Sequence, residues 1–232
     1  MQKFTWYLIL DFDSTIIERE SLDFLSEIVL EDHKDKNFLL DEIKDLTNKG
    51  MSGVVSFQES INQRLKRISI TSDHIKILNE KLTNYITPSF QDNIKWLKRH
   101  SNRIYIISGG FKEIIIPIAD NFNISHDHIF ANDFIFNQNG IVSGLNKNNP
   151  LSRSGGKLKK AKELNLDGRI YIVGDGFTDA EIKNLGKKVD FVAFIENICR
   201  EKVVSEADFT ARSFEDVINF IKNSERVSFY NR

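Results

Sequence analysis

The sequence predicts an α/β protein in which a doubly wound parallel sheet core carries a small, all-helical insertion. Three observations support this fold class. Short apolar runs without polar alternation recur along the chain, as expected of strands buried on both faces of a parallel sheet. Amphipathic helical segments separate most of these runs. Between the first two runs, however, residues 18–85 show helical periodicity alone.

Composition limits the classes of function. With 232 residues the chain can form one large domain or a core with a sizeable insertion. Its net charge of −1 argues against a nucleic-acid or basic membrane-surface role. A single cysteine excludes an intrachain disulfide, which fits a reducing cytosol. The apolar run at residues 4–10 is too short for a signal peptide. We therefore expect a cytoplasmic protein without a membrane or nucleic-acid partner.

The first apolar run, residues 7–10, ends in two carboxylates, Asp11 and Asp13. Open α/β sheets bind ligands at the carboxyl ends of their strands. Alternation along an extended backbone places both side chains on one side, where like charges hold one carboxyl protonated or recruit a cation. One could then act as nucleophile and the other as acid–base partner. The alternative is a strand followed by an ordinary Asp-rich turn.

The helical stretch predicts a cap inserted into the core. Apolar side chains recur at helical spacing in residues 22–29 and 38–46. Ser56 and Glu59 have capping-box spacing, and Thr71 or Ser72 indicates a further helix start. We expect a helical cap of residues 18–85 and a core formed by residues 1–17 and 86–232.

The α/β pattern resumes at Thr87-Pro88, which indicates the start of a helix that we expect to reach residue 99. A strand at residues 103–108 is expected to stop at Ser108-Gly109-Gly110, and a helix kinked at Pro117 to follow. Residues 129–137 and 141–145 alternate around Asn139-Gly140, which predicts a β-hairpin. The remaining expected elements are a helix from Lys157, strands at 170–173 and 191–194, and a closing helix at 214–221.

Several expected strand and helix ends carry polar groups that should converge at one edge of the sheet. The carboxylates of Asp11, Asp13 and Asp175 are hard oxygen ligands suited to Mg²⁺. The groups suited to phosphate oxygens are the Lys157 ammonium, the Ser108 hydroxyl and the backbone N–H groups at Gly109 and Gly110. Each feature alone is typical of an ordinary turn or helix start. Their combination, each at the end of an element, predicts a metal-assisted phosphate site.

The motifs DFDST, IISGG, GGK and VGDGFTD resemble, in the same order, the four motifs of haloacid dehalogenase-type phosphohydrolases. The resemblance covers nearly the whole chain and implies a Rossmann-like core. The resemblance is strongest to the phosphoserine phosphatase family. Glu20 and the segment MSGVVSFQESINQRL carry this closer resemblance. The segments IFANDFIFNQNGIVSG and PLSRSGGK resemble its eukaryotic-type branch.

This resemblance implies Mg²⁺-dependent hydrolysis of O-phosphoserine, in serine biosynthesis, through an aspartyl-phosphate. Asp11 is implied as nucleophile, Asp13 as proton donor and acceptor, and Asp11, Asp175 and the Asp13 carbonyl as Mg²⁺ ligands. Asp179 is expected to order the metal shell or Lys157, and Arg200 to have a minor site role. The implied phosphate ligands are Ser52, Ser108, Gly109, Gly110, Lys157 and Thr178.

The resemblance also assigns the cap to substrate recognition. Glu20 is implied to bind the substrate ammonium and Arg64 its carboxylate, while Met51 and Phe57 close over the site. Two positions depart from part of the family: Ser52 replaces a glycine found in some members, and Thr178 an asparagine found in many bacterial ones. The departure at residue 52 bears on a backbone contact to phosphate, which serine can still supply.

Two alternatives stay open. The first is a related phosphatase for another small phosphomonoester, such as phosphohomoserine or a phosphorylated alcohol. The second is a signalling module that accepts a phosphoryl group on an aspartate. In the favoured interpretation, the partner is a small phosphorylated amino acid and the protein is a monomer or homodimer.

Overall fold

The computed structural model describes residues 3–51 and 54–230, with side chains up to residue 225. The strands are β1 (Trp6–Leu10), β2 (Ile104–Phe111), β3 (Ile129–Asn132), β4 (Phe134–Phe136), β5 (Val142–Leu145), β6 (Arg169–Gly174), β7 (Val189–Phe194) and β8 (Phe209–Ala211). The helices are α1 (Ser21–Val29), α2 (Lys36–Met51), α3 (Phe57–Leu65), α4 (Ser72–Leu82), α5 (Pro88–Asp92), α6 (Ile94–His100), α7 (Lys112–Ala119), α8 (Gly156–Glu163), α9 (Phe177–Ala180), α10 (Glu201–Val204) and α11 (Phe214–Tyr230).

Six strands form a parallel sheet in the order β3-β2-β1-β6-β7-β8, and β4 and β5 form a separate antiparallel pair. The predicted fold class is confirmed. β1 lies inside the sheet, where Leu8 is in register with Ile104 of β2 and with Tyr171 of β6. The chain therefore leaves β1 at the middle of the sheet edge, between the ends of two neighbouring strands.

Alternation along β1 divides the core between the two faces of the sheet. Leu8 and Leu10 pack into a cluster that also holds buried side chains of α6, α7 and α11. Tyr7 and Ile9 point the other way, into a cluster with Ala161 of α8. Because both faces are covered, all five residues of β1 are buried, which explains the unbroken apolar run in the sequence.

Helices α1 to α4, here called the helical insertion, lie between β1 and β2 in sequence. The chain enters and leaves it side by side, since Ile17 and Ile86 form an antiparallel bridge. The Asn197 amide donates to Thr87 Oγ1 at 2.8 Å and to the Ser14 carbonyl at 3.2 Å. A loop of the sheet thus holds both connections to the insertion.

The expected helix caps of the insertion are present. The Ser56 side chain accepts a hydrogen bond from Glu59 N and caps α3, while Thr71 accepts one from His74 N and caps α4. The insertion is also tied to the β4–β5 pair, because Val142 N donates to the Ile70 carbonyl at 2.8 Å.

Three expectations about the remaining elements are wrong. The strand expected to stop at Ser108 continues to Phe111, because a register shift lets Phe111 pair with Asn132 of β3. Residues 129–132 join the parallel sheet instead of the hairpin, since Ile129 pairs with Ile106. The single helix expected at 88–99 is two helices, α5 and α6, separated at Asn93. Among helices in the part of the chain that is described, none is long and apolar enough to span a membrane.

Gly156 begins α8 in a tight contact. A Cβ atom at this position would lie 2.2 Å from the Pro150 carbonyl oxygen, which belongs to the backbone. The missing side chain therefore allows α8, with Lys157, to approach the segment before it.

We expect Gly156→Ala to lower the free energy of unfolding by about 1–3 kcal/mol, the usual cost of overpacking. Urea denaturation followed by circular dichroism measures this. Ser154→Ala, at an exposed neighbouring position, is the control and should change stability by less than about 0.5 kcal/mol. Equal stability of the two variants would contradict the close approach at Gly156.

Candidate active site

Asp11 stands where β1 leaves the sheet. Its N–H donates to the Val173 carbonyl of β6 at 2.9 Å, so the backbone at Asp11 is still held by the neighbouring strand. One carboxylate oxygen, Oδ1, accepts a hydrogen bond from Phe12 N at 2.7 Å. Ser14 then takes a left-handed conformation with φ of 54°, and the chain turns away from the sheet. The first motif therefore places Asp11 rigidly at the sheet edge.

Lys157 joins the first motif to the last. Its Nζ lies 2.8 Å from Asp11 Oδ2 and 2.8 Å from Asp179 Oδ1, and all three side chains are buried. Burial alone disfavours the ammonium, but Asp11 and Asp179 outweigh it and raise the pKa of Lys157 above its ordinary value. The lysine is therefore a fixed positive charge beside Asp11.

Three buried carboxylates lie together at this edge. Asp11, Asp175 and Asp179 each offer an oxygen within 4.8 Å of the others. Asp179 is held from the other side, where its Oδ2 accepts from Gly176 N at 3.2 Å. The side chain of Asp13 lies outside this group, so the three-carboxylate cluster contains Asp179 where the sequence pointed to Asp13. The predicted Asp13 ligand atom was its carbonyl oxygen, which this grouping of side chains does not test.

The charges around the cluster fit a divalent cation. Arg200 pairs with Asp175, and Lys157 pairs with the other two carboxylates. Even so, burial and the neighbouring Asp11 raise the pKa of Asp179 to about 7. The protein's own cations thus leave negative charge uncompensated among hard oxygen donors, which is the donor set that Mg²⁺ prefers.

Asp13 lies on the insertion side of the site. Its Oδ1 accepts a hydrogen bond from Ser21 N, at the start of α1, at 3.0 Å. Burial raises the pKa of Asp13 well above its ordinary value, and the charges of Glu20 and Asp11 act in the same direction. This carboxyl therefore favours its protonated form, as a proton donor must.

The second motif forms the wall opposite the carboxylates. Ser108 is buried, and its Oγ accepts a hydrogen bond from Gly110 N at 3.1 Å. A Cβ on Gly110 would lie 3.5 Å from Asp13 Oδ2, so the backbone passes directly beside the acid. Asn132 of β3 donates to the Gly109 carbonyl at 2.8 Å and fixes this segment.

These elements enclose a small cavity of about 90 Å³ between the sheet edge and the helical insertion. Among the sequence-predicted site residues, those that line it are Asp11, Asp13, Glu20, Met51, Phe57, Arg64, Ser108, Gly109, Gly110, Lys157, Asp175 and Thr178. Asp179 and Arg200 lie behind this lining and contact it through Lys157 and Asp175. Ser52 lies outside the described residues.

Phe57 closes the cavity against the sheet. A Cβ on Gly109 would lie 2.4 Å from Phe57 Cζ, so any side chain at residue 109 would displace the ring. Met51, at the end of α2, is exposed on the same side. The insertion and the second motif thus meet at an aromatic–glycine contact.

Glu20 forms the acidic end of the cavity. Its Oε1 accepts a hydrogen bond from Ser14 Oγ at 2.9 Å and lies 3.9 Å from Arg200 Nη2. Burial and the nearby Asp23 raise the pKa of Glu20. Arg64 and Arg200 act in the opposite direction but do not outweigh burial and Asp23, so a further cationic ligand group would stabilise the carboxylate.

Arg64 forms the basic end of the cavity and is buried. Its Nη1 donates to Asp23 Oδ1 at 3.1 Å and to Thr47 Oγ1 at 2.9 Å. The Nε–H of Arg64 is buried and has no hydrogen-bond partner among the described residues. An unsatisfied buried N–H is costly, which indicates that a ligand acceptor belongs here.

Sequence reasoning missed three supporting residues: Asp23, Thr47 and Asn132. Asp23 and Thr47 sit in helical patterns where a polar residue is ordinary, and Asn132 lies within a β-rich segment. None carries a motif by itself. Only the packing of α1, α2 and α3 brings the first two against Arg64.

Comparisons with known proteins agree with this geometry. The family model for haloacid dehalogenase-like hydrolases matches residues 8–182. The chloroplastic phosphoserine phosphatase of Arabidopsis thaliana is 31% identical over 213 residues, which cover 90% of this chain and 69% of that protein. The human phosphoserine phosphatase is 28% identical over 211 residues, covering 90% and 89%.

A solved structure is similar along almost the full length. The crystal structure of a phosphoserine phosphohydrolase-like protein from Francisella tularensis subsp. tularensis SCHU S4 is 35% identical and superposes with a TM-score of 0.81, covering 93% of this chain and 99% of that one. By sequence, by fold and by the order of its motifs, the chain belongs to the haloacid dehalogenase-like hydrolase family and, within it, to the phosphoserine phosphatase family.

Proposed function

We propose that this protein hydrolyses O-phosphoserine to serine and inorganic phosphate, with Mg²⁺, through a phosphorylated Asp11. The observation that best supports this proposal is the ion pair between Asp11 and Lys157 in a cavity that Glu20 and Arg64 also line. One half of the cavity thus suits a phosphate ester, and the other suits an ammonium and a carboxylate.

The first half-reaction transfers the phosphoryl group to Asp11. A carboxylate oxygen of Asp11 forms a bond to phosphorus while the bond from phosphorus to the serine oxygen breaks. Asp13 gives its proton to the departing alkoxide. Lys157, the Ser108 hydroxyl and N–H groups at Gly109 and Gly110 offset the charge of the phosphoryl oxygens.

The second half-reaction restores Asp11. Water attacks phosphorus, its proton passes to the Asp13 carboxylate, and the bond between phosphorus and Asp11 breaks to release inorganic phosphate. Asp13 thereby regains the proton that it gave away, so the residues end as they began.

Asp11, Asp175 and the Asp13 carbonyl are the groups that would hold Mg²⁺, while Asp179, which pairs with Lys157 and lies in the same carboxylate cluster, orders this shell. When bound, the ion neutralises phosphate charge and polarises the phosphoryl oxygens. Arg200 pairs with Asp175, and it keeps that carboxylate oriented at the edge of the cluster.

Residues 18–85 act as a cap that selects the substrate, above a core of residues 1–17 and 86–232. This segment supplies Met51, Phe57 and Arg64, whereas most of the residues proposed to bind phosphate lie at the sheet edge. The cavity of about 90 Å³ is far smaller than a typical ligand pocket of about 300–1,000 Å³. This favours a small substrate and a cap that opens to admit it. From the resemblance to the phosphoserine phosphatase family, Ser52 would contribute a backbone contact to phosphate and Thr178 a further phosphate contact.

The two alternatives make different demands on the site. A signalling module must preserve its phosphoaspartate, whereas Asp13 is positioned to promote hydrolysis. A phosphatase for a phosphorylated alcohol would have no use for Glu20 and the unsatisfied Arg64 Nε at the far end. Phosphohomoserine carries the same two groups as phosphoserine on a longer chain, and only a substrate comparison separates them. A cytoplasmic monomer or homodimer that acts in serine biosynthesis completes the proposal.

The direct test is phosphate release from phosphoserine, phosphohomoserine, phosphoethanolamine and a sugar phosphate, with Mg²⁺ and with a chelator. Phosphoserine should give the highest kcat/KM, and the chelator should abolish turnover. Asp11→Asn should lower kcat by about a thousandfold or more, because it removes the nucleophile. Asp92→Asn, at an exposed position, is the control. Wild-type turnover by Asp11→Asn would refute the mechanism.

Arg64→Ala should reduce kcat/KM for phosphoserine about 10- to 100-fold, as expected for loss of a charged hydrogen bond worth about 1.5–3 kcal/mol. Phosphoethanolamine, which lacks the carboxylate, should lose much less. Arg64→Lys is the matched variant, because it keeps the charge but not the planar fork. If both substrates lost activity in the same proportion, the assignment of Arg64 to the carboxylate would be wrong.

A further inference from the structure

A polar triad, of which Thr47 and Arg64 are buried and Asp23 is partly exposed, connects helices α1, α2 and α3 of the helical insertion. Thr47 of α2 donates from Oγ1 to Asp23 Oδ1 of α1 at 2.7 Å. Arg64 of α3 donates from Nη1 to both of them, at 3.1 Å to Asp23 and at 2.9 Å to Thr47. Thr47 and Arg64 are each 5% exposed, whereas the Asp23 side chain is 24% exposed, so the bond between Arg64 and Thr47 is buried and the two bonds to Asp23 are partly buried.

The chemistry of the three groups allows one pattern of donors. Arginine has no acceptor, so the Thr47 oxygen must accept from Arg64 and its single proton must go elsewhere. The Thr47 hydroxyl therefore donates to Asp23 Oδ1, which lies 2.7 Å from Thr47 Oγ1, in preference to the Ile43 carbonyl oxygen at 3.1 Å. Both N–H groups of Nη1 are thereby used. The rotation of the guanidinium about its own plane is fixed by the two acceptors.

This fixed rotation decides which edge of Arg64 remains for a ligand. Nη1 is occupied, whereas Nε is buried and has no partner among the described residues. The edge formed by Nε and Nη2 is one of the planar forks that can bind a carboxylate with two parallel hydrogen bonds. If Arg64 rotated, Nη1 would compete for the same carboxylate and Nε would lose its orientation.

We propose that Asp23 and Thr47 are positioning residues that orient Arg64 for the substrate carboxylate and so set the preference for amino-acid phosphates. This inference rests on the proposed function, since it assumes that Arg64 binds that carboxylate. It assigns a specificity role to two cap residues that contact neither the phosphoryl group nor the sheet edge. The triad also couples recognition to cap packing, because each member belongs to a different helix.

The test compares Thr47→Val, which keeps the shape but removes the hydroxyl, with Thr47→Ser, which restores it. For each variant, kcat and KM are measured with phosphoserine and with phosphoethanolamine. Thr47→Val should raise KM for phosphoserine about tenfold with little change in kcat, while phosphoethanolamine changes less than about twofold. Thr47→Ser should recover most of the selectivity.

Ser60→Ala is the matched control. The Ser60 hydroxyl, also buried, donates to the Leu46 carbonyl at 2.7 Å and so joins α3 to α2, and it is not a hydrogen-bond partner of the Arg64 guanidinium among the described residues. Its loss should lower the thermal midpoint but leave the ratio of the two kcat/KM values unchanged. This separates an effect on Arg64 from a general loosening of the cap.

An equal loss for both substrates in Thr47→Val, or an unchanged ratio, would overturn the inference and leave the proposed function standing. A wild-type enzyme with no preference for phosphoserine over phosphoethanolamine would overturn both. If Thr47→Val does not fold, Asp23→Asn replaces it and should give the same selective loss. Both substrates carry the amine near Glu20, so a change there cancels in the ratio.

Discussion

The structure depends on one buried ammonium held between two carboxylates. Lys157 contacts Asp11 and Asp179 at 2.8 Å each, and these residues come from α8, from the turn after β1 and from α9. Removing one partner of such a buried pair leaves an uncompensated charge, which is strongly destabilising. The same contact therefore assembles three distant segments and places a positive charge beside Asp11. Gly156 and Gly174 make this possible, because a side chain at either would strike its surroundings.

A second constraint is the excess of negative charge that remains after Lys157 and Arg200 are paired. It raises the pKa values of Asp13 and Asp179, with burial as the larger cause in each. In isolation this arrangement is costly. The same excess suits a divalent cation, and it adds to the effect of burial in favouring the protonated form of Asp13. Asn197 connects this site to the helical insertion, since its amide donates both to the Ser14 carbonyl in the turn after Asp13 and to Thr87 Oγ1, where the chain returns from the insertion.

Much of this arrangement could be predicted from the sequence, because the governing signals are local. Asp11, Gly109 and Gly174 each lie just after an apolar run. The sequence therefore indicates where these strands end and which polar groups follow them. The features that the sequence did not predict depend on contacts with residues far away in the chain. β2 runs past Ser108 only because β3 pairs with Phe111, and β8 (Phe209–Ala211) is a three-residue strand too short for periodicity to reveal. The Asp23–Thr47–Arg64 triad needs three helices in register, which no spacing within one helix shows.

The central claim is that Asp11 becomes phosphorylated while Lys157 holds it, and peptide mass spectrometry tests this most directly. Wild-type enzyme, mixed with phosphoserine and Mg²⁺ and quenched in acid during turnover, should carry a phosphoryl group on a fraction of its molecules, because Asp11 is phosphorylated before water releases the phosphate. The account predicts that the modified peptide contains Asp11 and that Asp11→Asn, treated identically, carries no label. A phosphoryl group on another residue, or phosphate release without any labelled peptide, would contradict it.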